Sequence, residues 1–421
     1  MAWLVYATMG LITSVFKTNI AENSEILGIW VILVTFAFIF YTICRQRIGR
    51  QAQVIFCAGI VLRIILMWWD IYCRDIYVLP NSGQDSEMYF YGAVNGCLYG
   101  DYDRSGLYGR FLSLWIQLFG VQRGCIQLTN TLLGFSTILL LIKIMEVLCV
   151  NDQTKDRVVE LASLLPNTMI TNAILLRETL IAFLVTFSIF AFVKWICRGN
   201  TVNLLASFVL VLVASAVHSG AIAVGLGEAV MMVFYDRRSN RLQVNNRSSI
   251  VLGLLIMVSF LLYRQLGSVF LGKFSRVESI DSIINTANIY NRGGASYDAG
   301  FHINNSILNL IINTPIRMFY FVASPLPWDW RGISDIIAFC FSSSVFLYGI
   351  YHAHKEWKYS KTNGTQINIA FFVILALCGA MIFAWGVSNA GTAVRHREKF
   401  ISVFLLLIAV CSDSKWKRSI S

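Results

Sequence analysis

Charged residues are scarce in this chain: Asp, Glu, Lys and Arg make up 14% of its 421 residues, whereas hydrophobic residues make up 57%. A soluble domain averages about 25% charged residues. A soluble fold of this length could not remove so much apolar surface from water, whereas a lipid bilayer accommodates it. The composition therefore excludes an ordinary soluble enzyme and predicts an integral membrane protein.

Several sequence motifs that are typical of soluble enzymes are also missing. The sequence contains no phosphate-binding loop and no glycine-rich dinucleotide motif, and its ten cysteines lack the spacing of a metal site or a redox pair. The net charge of +11 does not indicate nucleic-acid binding, because the basic residues lie in short loops between apolar runs. We therefore expect no nucleic-acid partner and no cofactor.

Long apolar runs are what the sequence has instead. A spanning helix needs about 20 apolar residues. The predicted fold class is all-α: a polytopic transmembrane helix bundle of about twelve spans, forming a single integral membrane domain over 1–421. Met1–Phe16 lacks the basic start and cleavage site of a signal peptide and is interpreted as a retained helix. The candidate spans are 1–16, 26–44, 54–72, 125–150, 158–176, 180–197, 202–218, 220–235, 249–271, 333–352, 367–388 and 399–413.

The basic clusters predict the orientation. Those at 45–50, 155–157, 194–198, 237–247, 352–361 and 415–418 all fall on one side if both termini are cytoplasmic. This requires the apolar segment 307–327 not to cross, and its Pro315 is expected to interrupt a helix. We predict that 307–327 and 107–121 are re-entrant or surface-lying segments on the outer face, within the long outer loops 73–124 and 272–332.

The first outer loop contains Asp85 and Glu87, just beyond a span. Two carboxylates at this spacing could act as a general base or bind a divalent metal ion. The alternative is that both are ordinary solvated loop acids. Arg177 and Glu178 interrupt an apolar stretch, where ionisable residues tend to face a cavity or a partner. Glu178 is a third candidate catalytic acid, unless it forms a local charge pair with Arg177 at a hairpin turn.

The other candidate residues are suited to binding a substrate. His218 lies where a helical hairpin reverses on the outer side, although a structural, hydrogen-bonded histidine is the common alternative. Arg292 stands beside a glycine pair that lets backbone approach an anion, followed by Tyr297. Trp328 belongs to a proline- and tryptophan-rich stretch on which a sugar or lipid could pack, unless it is part of the aromatic belt.

The sharpest feature is Arg395, His396 and Arg397, a basic cluster at the end of an outer segment. The positive-inside rule disfavours this location. Arginine's planar guanidinium matches phosphate or diphosphate. If the topology differs at the C-terminus, the cluster is a plain cytoplasmic one. Together with the outer acids, it suits glycosyl transfer from a polyprenyl-phosphate or polyprenyl-diphosphate donor, since the acceptor hydroxyl needs a base and the leaving phosphate needs cations.

Four stretches resemble bacterial polytopic glycosyltransferases of the GT-C type, in particular the repeat-unit polymerases of O-antigen and capsule assembly. They are 84–89, 165–178, 320–328 and 389–397. The resemblance implies that Asp85 or Glu87 serves as base or metal ligand, and that Arg395, Arg397 and Arg177 engage the diphosphate. GT-C enzymes place this acidic loop after the first span, whereas here about three spans precede it.

The expected function follows from these residues and this resemblance. The protein would polymerise undecaprenyl-diphosphate-linked oligosaccharide units, with inversion, on the outer face of a bacterial plasma membrane. Its partners would be the lipid-linked donor and acceptor, membrane lipid and other polysaccharide-assembly proteins. One alternative transfers a single sugar from a monophosphate lipid donor. Another is a transporter or flippase of lipid-linked sugars, which should show inverted repeats and charges at mid-membrane; Arg63 and Asp70 are the main charges inside a span.

Overall fold

The structure, a computed structural model, describes residues 1–16, 25–103, 105–255, 257, 296, 297, 300, 306–359 and 363–419. Almost all regular structure in these residues is α-helical, as predicted. The helices of the first half are α1 (Ala2–Phe16), α2 (Glu25–Cys44), α3 (Arg50–Tyr72), α4 (Gln84–Tyr99), α5 (Gly106–Phe119), α6 (Arg123–Val147), α7 (Asp152–Leu164), α8 (Pro166–Ala173) and α9 (Arg177–Arg198).

The second half continues in the same way. Its helices are α10 (Thr201–Val217), α11 (Ile222–Phe234), α12 (246–255), α13 (Ser306–Ala323), α14 (Ile333–Ala338), α15 (Ser344–Tyr359), α16 (Asn363–Gly386), α17 (Ala390–Arg397) and α18 (Ile401–Ser419). A π-helical turn, Phe339–Ser343, joins α14 to α15. Within the described residues, sheet structure is limited to a short antiparallel hairpin, β1 (Tyr235–Asp236) with β2 (Arg241–Leu242).

Among the described residues, five helices are long and apolar enough to cross a membrane. They are Arg50–Tyr72, Arg123–Val147, Arg177–Arg198, Ile333–Tyr359 and Gly364–Gly386. Five shorter apolar helices accompany them, at Ala2–Val15, Gly28–Cys44, Thr201–Val217, Ser219–Phe234 and Ile307–Ala323. Many large hydrophobic side chains on these helices are exposed, such as Leu205, Val209 and Ile311, and need an apolar environment. These helices indicate a membrane protein; the total of about twelve spans stays a prediction.

The predicted span 158–176 is wrong as a continuous helix. α7 ends at Leu164, Leu165 is extended, and α8 begins at Pro166. Proline cannot donate the backbone hydrogen bond that would continue α7. The break explains the buried Arg63 of α3, which donates from Nη1 to the Ser163 carbonyl at 2.7 Å and from Nη2 to the Ala162 carbonyl at 3.3 Å. Arg63 thus caps the carbonyl groups that the interrupted helix exposes.

Pro315 does not interrupt its helix, contrary to the prediction for 307–327. α13 continues through it from Ser306 to Ala323 and ends just before the cis Ser324–Pro325 bond. A proline removes one hydrogen bond of a helix, but the turns on either side can persist. The predicted segment 107–121 is α5, which buries Tyr108, Leu112, Ile116 and Phe119 on one face. Of the predicted span 249–271, residues beyond 257 lie outside the described part.

The described chain groups into two compact units. Unit 1 comprises 1–139 and 155–183, and unit 2 comprises 140–154 and 184–421. In unit 1, the Tyr6 hydroxyl donates to the Cys125 carbonyl at 2.6 Å, and its ring packs 4.8 Å from Phe119. In unit 2, Phe346 stacks on Phe404 at 3.9 Å. Two packed units can belong to one membrane domain, so the single-domain assignment stays a prediction.

Candidate active site

An ion-pair cluster in unit 1 gathers the ends of three helices. Asp70 lies in the last turn of α3, Arg74 follows that helix, Glu87 is in the first turn of α4, and Arg123 begins α6. Arg123 donates to both oxygens of Glu87, from Nη1 at 2.8 Å and from Nη2 at 2.6 Å. Arg74 bonds Glu87 as well, and reaches both oxygens of Asp70 at 3.1 Å. Two acids and two arginines therefore form one network, which we call the acid–arginine cluster.

Glu87 stays ionised in this cluster. Burial by itself would raise the pKa of its carboxyl group, but the hydrogen bonds and charges of Arg123 and Arg74 lower the pKa to about 2. A carboxylate with so low a pKa is a poor base at neutral pH. The geometry thus gives Glu87 the role of orienting the two arginines. Asp85 is half-buried on the same first turn of α4.

Asp70 is the buried carboxylate of the acid–arginine cluster. Its carboxylate accepts from the Ser82 hydroxyl at 2.5 Å and from Gln127 Nε2 at 2.8 Å, in addition to Arg74. The Asp70 side chain is inaccessible to solvent, whereas those of Glu87 and Arg123 are 27% and 18% exposed. The cluster therefore has a fixed inner carboxylate and an accessible outer face.

The polar side of α6 extends this network to the start of α9. Gln127 also donates to the Ala173 carbonyl at 2.6 Å, and Asn130 Nδ2 donates to the carbonyls of Ile174 and Leu176. Residues 174–176 are non-helical and buried, so their backbone groups need such partners. The Tyr108 hydroxyl donates to Asn130 Oδ1 at 2.9 Å and holds the amide in place. α6 thereby fixes where α9 begins.

Arg177 and Glu178 are the first two residues of α9. Arg177 is half-buried, and its Nε is buried with no hydrogen-bond partner in the described part of the chain. Glu178 is fully buried and acts electrostatically on Tyr108. The N-terminal end of a helix favours anions through its free N–H groups and its dipole. Arg177 adds a positive charge at this end.

A second group of predicted residues meets in unit 2 around Phe383. The rings of His218 and His396 lie 5.1 Å apart, and Phe383 packs on both of them. Lys399 Nζ lies 2.6 Å from His396 Nδ1. His218 Nδ1 accepts from the Gly220 backbone N–H at 3.1 Å and caps a short 3-10 turn, Ser219–Ala221. This contact fits the structural role that was the alternative for His218, and its role in substrate binding stays a prediction.

Arg397 is fully buried, whereas Arg395 is half-buried. Arg397 Nη1 donates to the carbonyls of Phe321, at 3.2 Å, and of Val322. Its Nε and Nη2 have no hydrogen-bond partner in the described residues. Burial lowers the pKa of this guanidinium to about 10, so it remains charged at neutral pH. A buried cation with unused donors is costly unless an anion satisfies it.

The remaining predicted residues have separate places. Tyr297 is buried: its backbone N–H donates to the Ser388 carbonyl at 3.0 Å and its hydroxyl to the Val387 carbonyl at 3.3 Å. Trp328 lies in the 3-10 turn Pro327–Asp329 and is 71% exposed. Arg292 lies outside the described residues. The structure therefore brings Tyr297 next to the start of α17, but leaves Trp328 on the surface.

The oxygens of Glu87 are already hydrogen-bonded, which bears on a divalent metal ion at Asp85 and Glu87. No group of three His, Cys, Asp or Glu side chains suited to holding a metal occurs among the described residues. Both oxygens of Glu87 already accept hydrogen bonds from Arg123, and a metal ion would have to compete with that guanidinium.

Sequence reasoning missed Arg74, Arg123 and Gln127 of the acid–arginine cluster, and also Glu228. Arg74 follows Asp70 by four residues, which on a helix is the spacing of an ion pair. This pair could therefore have been predicted from the sequence. Glu228 lies within the predicted span 220–235, where any carboxylate is unusual. It is fully buried in unit 2 and accepts from the hydroxyls of Ser188 at 2.6 Å and Ser207 at 2.5 Å.

Comparison with protein-family models, with curated proteins and with solved structures gives no match to this chain. Its function therefore has to be inferred from its own residues.

Proposed function

We propose that this protein is a membrane glycosyltransferase that polymerises polyprenyl-diphosphate-linked oligosaccharide units on the outer face of a bacterial plasma membrane. The observation that carries the proposal is the acid–arginine cluster. It combines two carboxylates with partly accessible arginines on apolar helices. Gln127 and Asn130 of α6 extend the polar region to the carbonyls of Ala173, Ile174 and Leu176, just before Arg177. Glycosyl transfer from a lipid diphosphate needs both kinds of charge.

Each side chain has a defined role in this proposal. Asp85 removes the proton from the acceptor hydroxyl as its oxygen attacks the anomeric carbon. The bond between that carbon and the diphosphate oxygen breaks with inversion, and the diphosphate leaves with the bonding electrons. Arg177, the first residue of α9, binds the departing anion, with the N-terminus of that helix adding favourable potential. Glu87 and Asp70 hold Arg74 and Arg123 in position.

The test is genetic complementation. In a strain lacking this gene, the surface glycan should stop at one repeat unit, and the wild-type gene should restore the polymer. Asp85→Asn and Arg177→Gln should each reduce polymer by about 100-fold or more, because general-base catalysis and charge stabilisation each contribute at least that much. Arg395→Ala and Arg397→Ala test the other proposed diphosphate ligands. Full-length polymer from Asp85→Asn and Arg177→Gln at normal protein levels would overturn the proposed site.

The alternative that transfers a single sugar from a monophosphate donor shares this chemistry. It predicts a repeat unit lacking one sugar rather than a single complete unit, so structural analysis of the surface glycan in the deletion strain separates the two.

A transporter or flippase is the second candidate function, and Glu228 favours it. A fully buried carboxylate between apolar helices, bonded to Ser188 and Ser207, is typical of a proton or substrate pathway. This candidate predicts complete loss of surface glycan in the deletion strain. It also predicts that Glu228→Gln abolishes transport while Asp85→Asn leaves it unchanged.

A further inference from the structure

Three helices meet, within unit 2, at the side chain of Glu228. Glu228 lies in the middle of α11 and is fully buried, as are Ser188 on α9 and Ser207 on α10. One carboxyl oxygen of Glu228 lies 2.6 Å from the Ser188 hydroxyl, and the other lies 2.5 Å from the Ser207 hydroxyl. The two hydroxyl oxygens lie 3.0 Å from each other. The three side chains therefore form a closed ring of contacts, which we call the Glu–Ser ring.

The contacts in the Glu–Ser ring need more protons than its serines supply. Each of the three contacts is short enough for a hydrogen bond, and each bond needs a proton, but two hydroxyls supply two. If Glu228 were ionised, both hydroxyls would donate to it, and the contact between Ser188 and Ser207 would bring two lone pairs together. If Glu228 carries a proton, it donates to one serine, that serine donates to the other, and the second donates back to the free carboxyl oxygen. The protonated form therefore gives every contact in the ring a proton.

The surroundings of the Glu–Ser ring supply no counter-charge. In the described residues, the hydrogen-bond partners of Glu228 are the two neutral hydroxyls. α10 and α16, which pack against α11, contain no Asp, Glu, Lys or Arg. The charge on α9 nearest in sequence to Ser188 is Lys194, about 9 Å further along the helix axis. The other titratable side chains on these helices and at their ends are Arg177, Glu178, Cys197 and Arg198 on α9, His218 after α10, and Cys378 on α16.

Close helix packing on both sides of Glu228 leaves little room for a hydrated counter-ion. A Cβ atom at Gly225 would lie 2.8 Å from the Val211 side chain on α10, and one at Gly227 would lie 2.7 Å from the Leu375 side chain on α16. Small residues of this kind let membrane helices approach closely. An ionised carboxylate in such a place is costly without a paired charge, whereas a neutral, hydrogen-bonded acid is tolerated.

We propose that the Glu–Ser ring is a proton-binding site, in which Glu228 is a neutral carboxylic acid that donates a hydrogen bond at neutral pH. The bound proton holds α9, α10 and α11 together. Its release would leave an unpaired negative charge between the three helices and separate them. The inference does not rest on the proposed function, because it concerns side chains that take no part in the proposed glycosyl transfer.

The experiment is infrared difference spectroscopy of the full-length protein in lipid nanodiscs at pH 7. The carbonyl stretch of a protonated carboxyl group absorbs apart from the two stretches of a carboxylate. Subtracting the spectrum of Glu228→Gln from that of wild type should leave the band of a protonated carboxyl group. Glu87→Gln is the matched control, because Glu87 is ionised and its subtraction should leave carboxylate bands. Carboxylate bands from the Glu228 subtraction would overturn the proposal.

A sodium ion is the other occupant that these oxygen atoms suit. The same spectra are therefore recorded in sodium chloride and in potassium chloride, and the protonated band of Glu228 should be equal in both. Its replacement by carboxylate bands in sodium chloride alone would show that a metal ion, and not a proton, occupies the ring.

Two serines of α10 test whether the ring holds the helices together. Ser207→Ala removes one partner of Glu228 and should lower the thermal unfolding midpoint by a few degrees. Ser215→Ala is the matched control on the same helix, since Ser215 is buried and its hydroxyl has no hydrogen-bond partner in the described residues. Equal midpoints for the two variants would show that the ring does not stabilise this helix contact.

The pH dependence of unfolding tests the release of the proton. In the unfolded chain, a glutamate loses its proton above about pH 4. Because the folded state keeps this proton, stability should fall as the pH rises. The unfolding midpoint of wild type should therefore fall relative to that of Glu228→Gln between about pH 5 and pH 8. A difference in midpoint that is constant over this range would contradict the proton switch, whatever the outcome of the tests for glycosyl transfer.

Discussion

Glu87 shows how neighbouring side chains set the chemistry of one residue. From the sequence, Asp85 and Glu87 are equivalent candidates for a base. In the structure, Glu87 is held by Arg74 and Arg123, whose hydrogen bonds outweigh the effect of burial and lower its pKa to about 2. Its charge then organises the arginines instead of accepting a proton.

We predict that Glu87→Gln lowers the free energy of unfolding at pH 7 by about 1–3 kcal/mol, because the two arginines lose a charged hydrogen-bond acceptor. The measurement is thermal unfolding in detergent. Glu146→Gln is the control: Glu146 pairs with Lys143, whose side chain is 48% exposed, so the variant should change stability by less than about 1 kcal/mol. Equal midpoints for wild type and Glu87→Gln at pH 7 would contradict the assignment.

The pH dependence of this contribution has a definite sign. The folded-state pKa of Glu87, about 2, lies below the ordinary value of 4.5 for a glutamate side chain. The stabilisation is therefore fully present above about pH 4.5 and is lost as the pH falls towards 2. The difference in unfolding midpoint between wild type and Glu87→Gln should shrink over that window. A difference that grows below pH 4.5 would refute the ion-pair explanation.

At the scale of helices, the break between α7 and α8 depends on a residue far away in sequence. Arg63 donates to the carbonyls of Ala162 and Ser163 that the break exposes. We predict that Arg63→Met destabilises the protein by about 2–4 kcal/mol, because two buried carbonyl groups lose their partner. Arg50→Met, at the exposed start of the same helix, is the control for thermal unfolding. Similar midpoints for both variants would show that Arg63 does not support the break.

The non-helical residues 174–176 depend on α6 in the same way. Asn130→Leu keeps a similar side-chain size but removes both donors to the Ile174 and Leu176 carbonyls. We expect a loss of about 2–4 kcal/mol. Thr137→Val is the matched control on α6, since the Thr137 hydroxyl donates only within its own helix, to the Leu133 carbonyl. If both variants unfold alike, α6 does not position the start of α9.

Element boundaries were predictable where hydropathy alone decides them. The predicted spans 54–72, 125–150, 180–197, 333–352 and 367–388 coincide with the five long apolar helices. Prolines were less informative: Pro166 ends one helix segment, whereas Pro315 lies inside another. Whether a helix ends at a proline depends on whether other groups hydrogen-bond to the backbone carbonyls that the proline leaves unpaired. At Pro166, Arg63 donates to the carbonyls of Ala162 and Ser163.

For the whole molecule, the proposed topology makes a prediction about native cysteines. Cys44, Cys149 and Cys197 are exposed and lie beside basic clusters that would face the cytoplasm. A membrane-impermeant thiol reagent should leave them unlabelled in intact cells but label them in inverted vesicles. Gly386→Cys should show the opposite pattern, because Gly386 is exposed, a Cβ there meets open space, and the site would face outside. Labelling of Cys149 in intact cells would overturn this orientation.

The sequence by itself determined the class of protein and many of its helices. Long apolar runs and few charges leave a chain no stable alternative to helices in an apolar environment, because each backbone polar group must be satisfied within its own segment. The length of an apolar run and the number of charges in it are local properties, so both can be read directly from the sequence.

Only the tertiary structure decided which charges meet. Arg74 and Arg123 surround Glu87, Arg63 caps the end of α7, and Arg397 donates to carbonyls at the end of α13, although none of these pairings is local in sequence. The sequence marks such residues only as charges near apolar runs. The strength of an ion pair depends on distances of a few ångströms and on burial, and packing between helices sets both.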